Sequence, residues 1–339
     1  MTDKVIEMAP KILELIKKSK KILLHCHPYP DADSIGSVLA MTLALKKMGL
    51  EVTSILGDSE YPDDLIVLPH HDLLVKKNYS EIDTGEFDLF IILDSSTLGQ
   101  VSRLAEVKIP KNMKTVVIDH HVTNLKYGDI NLVDETYTAT SQIIYDLFIR
   151  WGVEVDKDMA VCLFLGLYTD SGGFKYPSTT ANTLAVGAEL AKINPDFPRV
   201  IFEMENAKDP QEIAYEGLAL SSIEKYFSGK LVMAAVPYEK LKEKGIQKGF
   251  TQGGVGNTLI SVIGWEIGIN FVEADPGVVL VSFRTRNSDK HDVSLIASMI
   301  GKGGGHKAAA GTTIYEPFEV AKKQLLETIA KTFPDLGKI

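Results

Sequence analysis

Histidine and aspartate gather at three points of this sequence, each at the end of a short apolar run. Ile22-Leu23-Leu24 leads into a segment that carries His27, Asp31 and Asp33. The run Leu89-Phe90-Ile91-Ile92-Leu93 ends in Asp94, and Thr115-Val116-Val117-Ile118 ends in Asp119-His120-His121. Carboxylates mixed with imidazoles suit a divalent cation such as Mn²⁺, Fe²⁺, Co²⁺ or Zn²⁺. A helix cap at Asp33 or Ser34 is the other reading of the first segment. It accounts for one aspartate and leaves His27 and Asp31 without a task. A further carboxylate, Asp170, follows the apolar helical stretch 158–167 and enters the turn Ser171-Gly172-Gly173. A plain helix stop at Gly172 is the alternative there. An aspartate at a helix C-terminus opposes the helix dipole, which makes that alternative less comfortable.

The elements that must hold these residues alternate along the chain. Residues 21–26, 52–56, 89–93 and 115–118 read as strands, and 2–20, 34–48, 140–150, 158–167 and 180–193 as helices. Alternation of this kind predicts an α/β fold with a doubly wound, mostly parallel sheet. The apolar run 89–93 belongs at its centre. Ligands of such sheets bind beyond the carboxyl ends of the strands, so the three clusters should converge on one edge. If Asp94 bridges two cations, His27 and Asp31 can complete one site, and Asp33, His120 and Asp170 the other. Two cations about 3.5–4 Å apart can share a water, lower its pKa and aim it at phosphorus. The oxygen-rich set favours manganese over zinc. Asp119 is the expected hydrogen-bond partner of the His120 ring. His121 is read either as a donor to a phosphate oxygen or leaving group, or as a buried structural histidine.

Residues 194–212, with Pro195, Pro198 and Pro210, read as a linker between a domain over 1–193 and a smaller mixed α/β domain over 213–339. The second domain contains what an anion needs. Gly303, Gly304 and Gly305 allow close backbone approach and an amide nest, and His306 adds a donor. Arg284 and Arg286 alternate on one predicted strand and suit bidentate phosphate contact. Gly253-Gly254-Val255-Gly256-Asn257 is a glycine-rich turn without the spacing of a dinucleotide fingerprint.

Composition narrows the classes further. A length of 339 residues is enough for two domains, and the formal net charge of −9 argues against a duplex nucleic-acid binder. Cys26 and Cys162 read as core thiols of a reducing compartment. The N-terminus lacks a signal-peptide pattern, and the most apolar helical run, 159–168, is too short to span a bilayer. A cytoplasmic location without membrane contact is the expectation. His70-His71 in the irregular stretch 61–84 read as loop residues, and Phe174 and Tyr176 either as core or as base-stacking groups.

Taken together, these motifs resemble the DHH phosphoesterase superfamily. Its signature stands at Asp119-His120-His121, its first motif at residues 27–37, its second at Leu93-Asp94-Ser95-Ser96 and its fourth at Tyr168-Thr169-Asp170-Ser171-Gly172-Gly173-Phe174. The C-terminal part resembles a DHHA1 domain through Ser282-Phe283-Arg284, Asp292-Val293, Gly303-Gly304-Gly305-His306 and Ala309-Ala310-Gly311. Within the superfamily the likeness is to stand-alone oligoribonucleases and pAp-phosphatases, and to phosphodiesterases acting on cyclic-di-AMP and pApA.

The resemblance implies a two-Mn²⁺ hydrolase with its active site in a cleft between the domains. The metal ligands would be His27, Asp31, Asp33, Asp94, His120 and Asp170. Asp94, Asp119, His120 and His121 would form the catalytic group. His121, Arg284, Arg286, Gly304, Gly305 and His306 would bind substrate. The expected substrates are short 5′-phosphorylated oligonucleotides such as pApA and pGpG, with pAp beside them; a homodimer is compatible with the family. The competing readings are a cyclic-di-AMP phosphodiesterase, a family-II inorganic pyrophosphatase and a non-catalytic nucleotide sensor. A processive exonuclease would need further nucleic-acid-binding segments.

Overall fold

The computed structural model describes residues 1–251, 254–301 and 303–337. Gly253 and the side chain of His306, both named above, lie outside the described residues. The chain divides into two units, Met1–Ala207 and Lys208–Ile339.

The first unit is built on strands β1 (Lys21–His25), β2 (Glu51–Ile55), β3 (Leu74–Val75), β4 (Leu89–Leu93), β5 (Lys114–Asp119) and β6 (Ile130–Val133). They form one parallel sheet in the order β3-β2-β1-β4-β5-β6. Central β4 is buried along its whole length. That explains its unbroken apolar sequence, since a parallel strand is covered on both faces.

Helices α1 (Asp3–Lys18), α2 (Ala32–Lys47), α3 (Thr140–Trp151), α4 (Lys157–Asp170), α5 (Ala181–Ile193) and α6 (Phe197–Glu205) lie on one side; α1, α2 and α3 touch the strands of that face, α4 packs on α2 and α3, and α5 and α6 pack on α4. That face presents Ile22, Leu24, Ile91 and Ile118. The opposite face, with Leu23, Phe90, Ile92 and Val117, is covered by Tyr79, Phe87, Val101 and Met113. Those residues come from single 3₁₀ turns and loops, so the sheet has α-helices on one side only among the described residues. α2 and α4 cross closely because residue 36 has no side chain: a β-carbon at Gly36 would lie 2.3 Å from the Cys162 carbonyl oxygen.

The second unit contains α7 (Pro210–Ser221), β7 (Ile223–Tyr226), β8 (Leu231–Val236), α8 (Tyr238–Lys244), α9 (Val255–Ile260), β9 (Ile267–Asp275), β10 (Val278–Thr285), α10 (Val293–Ile300), β11 (Gly304–His306), β12 (Ala309–Ile314) and α11 (Phe318–Thr332). Its sheet runs β11-β12-β10-β9-β8-β7 and is antiparallel except where β8 meets β9. Both faces carry helices. α10 and α11 cover Phe271 and Phe283, while Tyr215, Leu241 and Leu259 from α7, α8 and α9 cover Val232 and Val272.

Several short elements carry no strong periodic signal, and the sequence reading passes over them: β3, β6, β7, β12, α6, α7 and α9. Residues 194–212, read as a linker, hold α6 and the start of α7, and the boundary between units falls after Ala207. The glycine segment read as an amide nest is in part an edge strand, with Gly304 opposite Gly311 and His306 opposite Ala309.

Candidate metal centre

The strand order reverses between β1 and β4, so the chain leaves these neighbours in opposite directions and opens a crevice at their carboxyl ends. His27 lies two residues past β1. Asp94 is the first residue past β4. Asp119 closes β5, and His120 and His121 follow it.

Asp94 is nearly fully buried and has φ of +51°, a left-handed backbone that few residues other than glycine adopt. Its N–H donates to the Ile118 carbonyl at 3.0 Å. Its two carboxylate oxygens face different histidines. Oδ2 is 3.4 Å from His27 Nε2, and Oδ1 is 3.7 Å from His120 Nε2. Thr140 Oγ1 donates to Oδ1 at 3.1 Å.

His27 Nδ1 lies 3.0 Å from the Pro28 carbonyl. With the proton on Nδ1, Nε2 is left as a lone-pair donor toward Asp31 and Asp94. Asp31 caps α2, its Oδ1 accepting from the Ser34 N–H at 3.0 Å. The cap is therefore Asp31, and neither Asp33 nor Ser34 has that role. Asp33 turns inward to the start of α3 and accepts from the backbone N–H groups of Thr140 at 2.7 Å and Ser141 at 2.9 Å. The N-terminal end of the α3 dipole favours its charge. Gly166 leaves it room: a β-carbon there would sit 2.7 Å from Asp33 Oδ1.

Ligand atoms lying within 4.8 Å of one another define three groups among the described residues. One is His27, Asp31 and Asp94; a second is Asp33, His120 and Asp170; the third is Asp94, Asp119, His120 and His121. The structure thus brings together all six residues read as metal ligands. Asp119 differs from its expected part. It does not hold the His120 ring; its Oδ1 is 2.7 Å from His121 Nδ1 and accepts the backbone N–H of His120 at 2.8 Å. Asn124 donates to its other oxygen at 2.6 Å. Asp119 therefore orients His121 and fixes the turn.

The electrostatics describe a site short of positive charge. Burial opposes protonation of His27, but Asp31 and Asp94 outweigh it and raise its pKa to about 11. Burial likewise works against His120, yet Asp170, Asp94 and Asp33 raise it to about 10. Burial raises Asp170 to about 6 and holds Asp33 well above the usual carboxylate range, with Asp170 and Asp94 adding repulsion. No lysine or arginine forms an ion pair with Asp31, Asp33, Asp94, Asp119 or Asp170 among the described residues. His120 Nε2 is 3.2 Å from Asp170 Oδ2, but the approach is too oblique for a hydrogen bond, and this buried atom has no hydrogen-bond partner among the described residues. An orphaned imidazole nitrogen facing crowded carboxylates fits a divalent cation.

Other candidates fall elsewhere. Cys26 is fully buried, its thiol pKa pushed up by burial, and it belongs to none of the three groups. His70 pairs with Asp158 at 2.8 Å on the surface. Phe174 packs edge-on against Phe164 and Tyr168. Tyr176 lies over Gly172, where a β-carbon would come within 2.5 Å of its ring. Thr140, Ser141 and Gly166 were not singled out from the sequence. They act across more than 20 residues of separation or through the backbone, so local patterning gives them no signal.

In the second unit, Arg284, Asn257, Ser282, Gly304, Gly305 and Thr312 line a cavity of about 480 Å³. Arg284 Nε donates to Asn257 Oδ1 at 3.1 Å. Arg286 follows the end of β10, and its guanidinium donates to the Val262 carbonyl at 2.8 Å, so it is not brought to this cavity. Among the described residues no helix is long and apolar enough to cross a membrane.

Comparison with known proteins fits this architecture. The model of the DHH family, N-terminal domain, matches residues 21–167, and that of the DHHA1 domain matches residues 232–334. The chain belongs to the DHH–DHHA1 phosphoesterase family. It is 28% identical over 327 residues to the bifunctional oligoribonuclease and PAP phosphatase NrnA of Thermus thermophilus, covering 93% of this chain and 91% of that protein. It is 27% identical over 176 residues to a probable manganese-dependent inorganic pyrophosphatase of Streptococcus thermophilus, covering 51% of this chain and 55% of that one. The fold of this phosphoesterase is shared with an exopolyphosphatase-related protein of Bacteroides fragilis, at a TM-score of 0.89 and 23% identity over 98% of both chains.

Proposed function

We propose that this phosphoesterase is a Mn²⁺-dependent phosphodiesterase that cleaves short 5′-phosphorylated oligonucleotides, pApA and pGpG among them, to mononucleotides, and that it also takes pAp. The observation that carries the reading is the pair of three-residue ligand groups, His27/Asp31/Asp94 and Asp33/His120/Asp170, joined by a third group that holds both Asp94 and His120. His27 and Asp31 would hold one cation with Asp94, and Asp33, His120 and Asp170 would hold the other. Bound there, the cations supply Lewis-acid charge at the phosphoryl group and an acidified water. Relatives named as an oligoribonuclease and PAP phosphatase and, over about half of this chain, as a probable manganese-dependent inorganic pyrophosphatase support the substrate class and the metal.

The chain's own groups divide the remaining work. Asp119 accepts from His121 Nδ1, and the His121 side chain is 25% exposed. Burial opposes its protonation, but Asp119 and Asp94 outweigh that and raise its pKa. A protonated His121 can donate from Nε2 to the leaving oxygen. Arg284 and the glycines of β11 offer N–H donors suited to a terminal phosphate. As the edge of its sheet, β11 has amides not used by β12.

A hydrolysis panel in Mn²⁺ tests the reading, with pApA, pGpG, cyclic-di-AMP, pAp, a longer RNA and pyrophosphate, and a chelator control. Rapid cleavage of the linear dinucleotides with little on the longer RNA is expected. Turnover of pyrophosphate alone, or of nothing at all, overturns it.

A further inference from the structure

The loop that carries His27 and Asp31 has a second side. Pro28, Tyr29 and Pro30 line a cavity of about 590 Å³ together with Ser59, Tyr61 and Arg103. Tyr29 is 77% exposed, so core packing does not explain it. It is nevertheless held firmly. Its φ is +58°, a strained value for an aromatic residue. Prolines on both sides restrict the backbone, and its N–H donates to Ser59 Oγ at 2.8 Å.

Arg103 is placed with equal care. Asp58 accepts from Ser102 Oγ at 2.8 Å and from the backbone N–H of Arg103 at 2.5 Å, which fixes the loop. The Arg103 guanidinium then lies 5.7 Å from the centroid of the Tyr29 ring. Arg103 forms no ion pair among the described residues.

An aromatic face backed by a guanidinium is a stacking platform for a planar ring. The cavity also includes Asp58, Glu60 and Asp63. These carboxylates repel a second phosphate but accept N–H groups from a neutral base. Tyr29 is two residues from His27, a span of at most about 7 Å along the chain. A nucleotide whose phosphate lies at His27 therefore has its base within reach.

We propose that this cavity is a nucleobase subsite, with the Tyr29 ring stacking on the base and Arg103 packing beside it. The proposal rests on the nucleotide reading given above and adds where base recognition resides. Tyr29→Asn removes the ring, and asparagine tolerates the left-handed backbone. Tyr29→Phe keeps the ring. The measurement compares kcat/KM for pApA and for its analogue lacking one base.

The native enzyme should prefer pApA by about tenfold to a hundredfold. Tyr29→Asn should close that gap, Tyr29→Phe should retain it, and Arg103→Ala should narrow it about threefold. A gap that survives Tyr29→Asn overturns the subsite. Mn²⁺ titration of Tyr29→Asn checks that the His27 loop is intact; loss of metal binding would mean Tyr29 serves the loop and would overturn the proposal. If the native enzyme cleaves no dinucleotide, the functional reading fails on its own. Binding of 5′-AMP and of ribose 5-phosphate then decides the subsite. Preference for AMP that vanishes in Tyr29→Asn supports it, and equal binding of the two overturns it.

Discussion

In residues 1–207 a parallel sheet ends in buried charge. Asp33 and Asp94 are almost wholly removed from solvent, and His27 and His120 sit beside them with pKa values of about 11 and 10. In residues 208–339 a largely antiparallel sheet ends in a cavity lined by glycines, neutral polar and apolar side chains and one arginine. The first region crowds carboxylates and imidazoles together in a set that suits a cation. The second presents N–H donors that need an anion. Buried carboxylates are costly unless paired, so the first region must be held by the fold. Asp94 is locked by its backbone turn and Thr140, and Asp33 by the start of α3. The second region needs little such support, because amides and an arginine are stable in solvent.

This contrast can be broken at its strongest point first. Asp94→Asn preserves shape and tolerates the left-handed backbone but removes the shared charge. Turnover of pApA should fall on the order of 10³-fold or more; a loss below about tenfold would remove Asp94 from its bridging position. Gly166→Ala tests whether the fold holds Asp33. The new methyl would meet Asp33 Oδ1 at 2.7 Å and Ser141 Oγ at 2.8 Å. Mn²⁺ affinity should drop about tenfold to a hundredfold, measured by calorimetry, and unchanged affinity would contradict the crowding.

The second region should respond in KM. Arg284→Ala should raise KM for pApA about tenfold to a hundredfold, as expected for a lost charge-assisted hydrogen bond. Arg286→Ala should change it less than about twofold, since that guanidinium engages Val262 and is exposed. Equal effects at the two positions would erase the distinction between them.

Much of the first region can be read from the sequence because its determinants are local. An apolar run ending in Asp94 or in Asp119-His120-His121 marks a buried strand and its loop together. The division of ligands around Asp94 follows from placing three such ends on one edge. What is not legible depends on distant contacts. Thr140 and Ser141 reach Asp33 across more than 100 residues, and Gly166 matters only because α4 passes beside it. Asp31 rather than Asp33 caps α2, since the helix begins two residues before the expected position. In the second region the glycines read as an amide nest, but Gly304 to His306 pair with β12, a partner no local pattern names. The alternation of Arg284 and Arg286 is real in sequence, yet β10 ends between them.

The central claim is that the carboxylate cluster of the first unit is completed by two cations. Titrating chelator-treated protein with Mn²⁺ at pH 7 in weak buffer tests it directly, counting bound metal and released protons together. His27 and His120, with pKa values of about 11 and 10, carry protons at that pH in the metal-free protein, and ligation needs them neutral. The expected result is two Mn²⁺ per chain and at least two protons released, with affinity falling as pH is lowered. Binding of one ion or none, or saturation without proton release, would contradict the account.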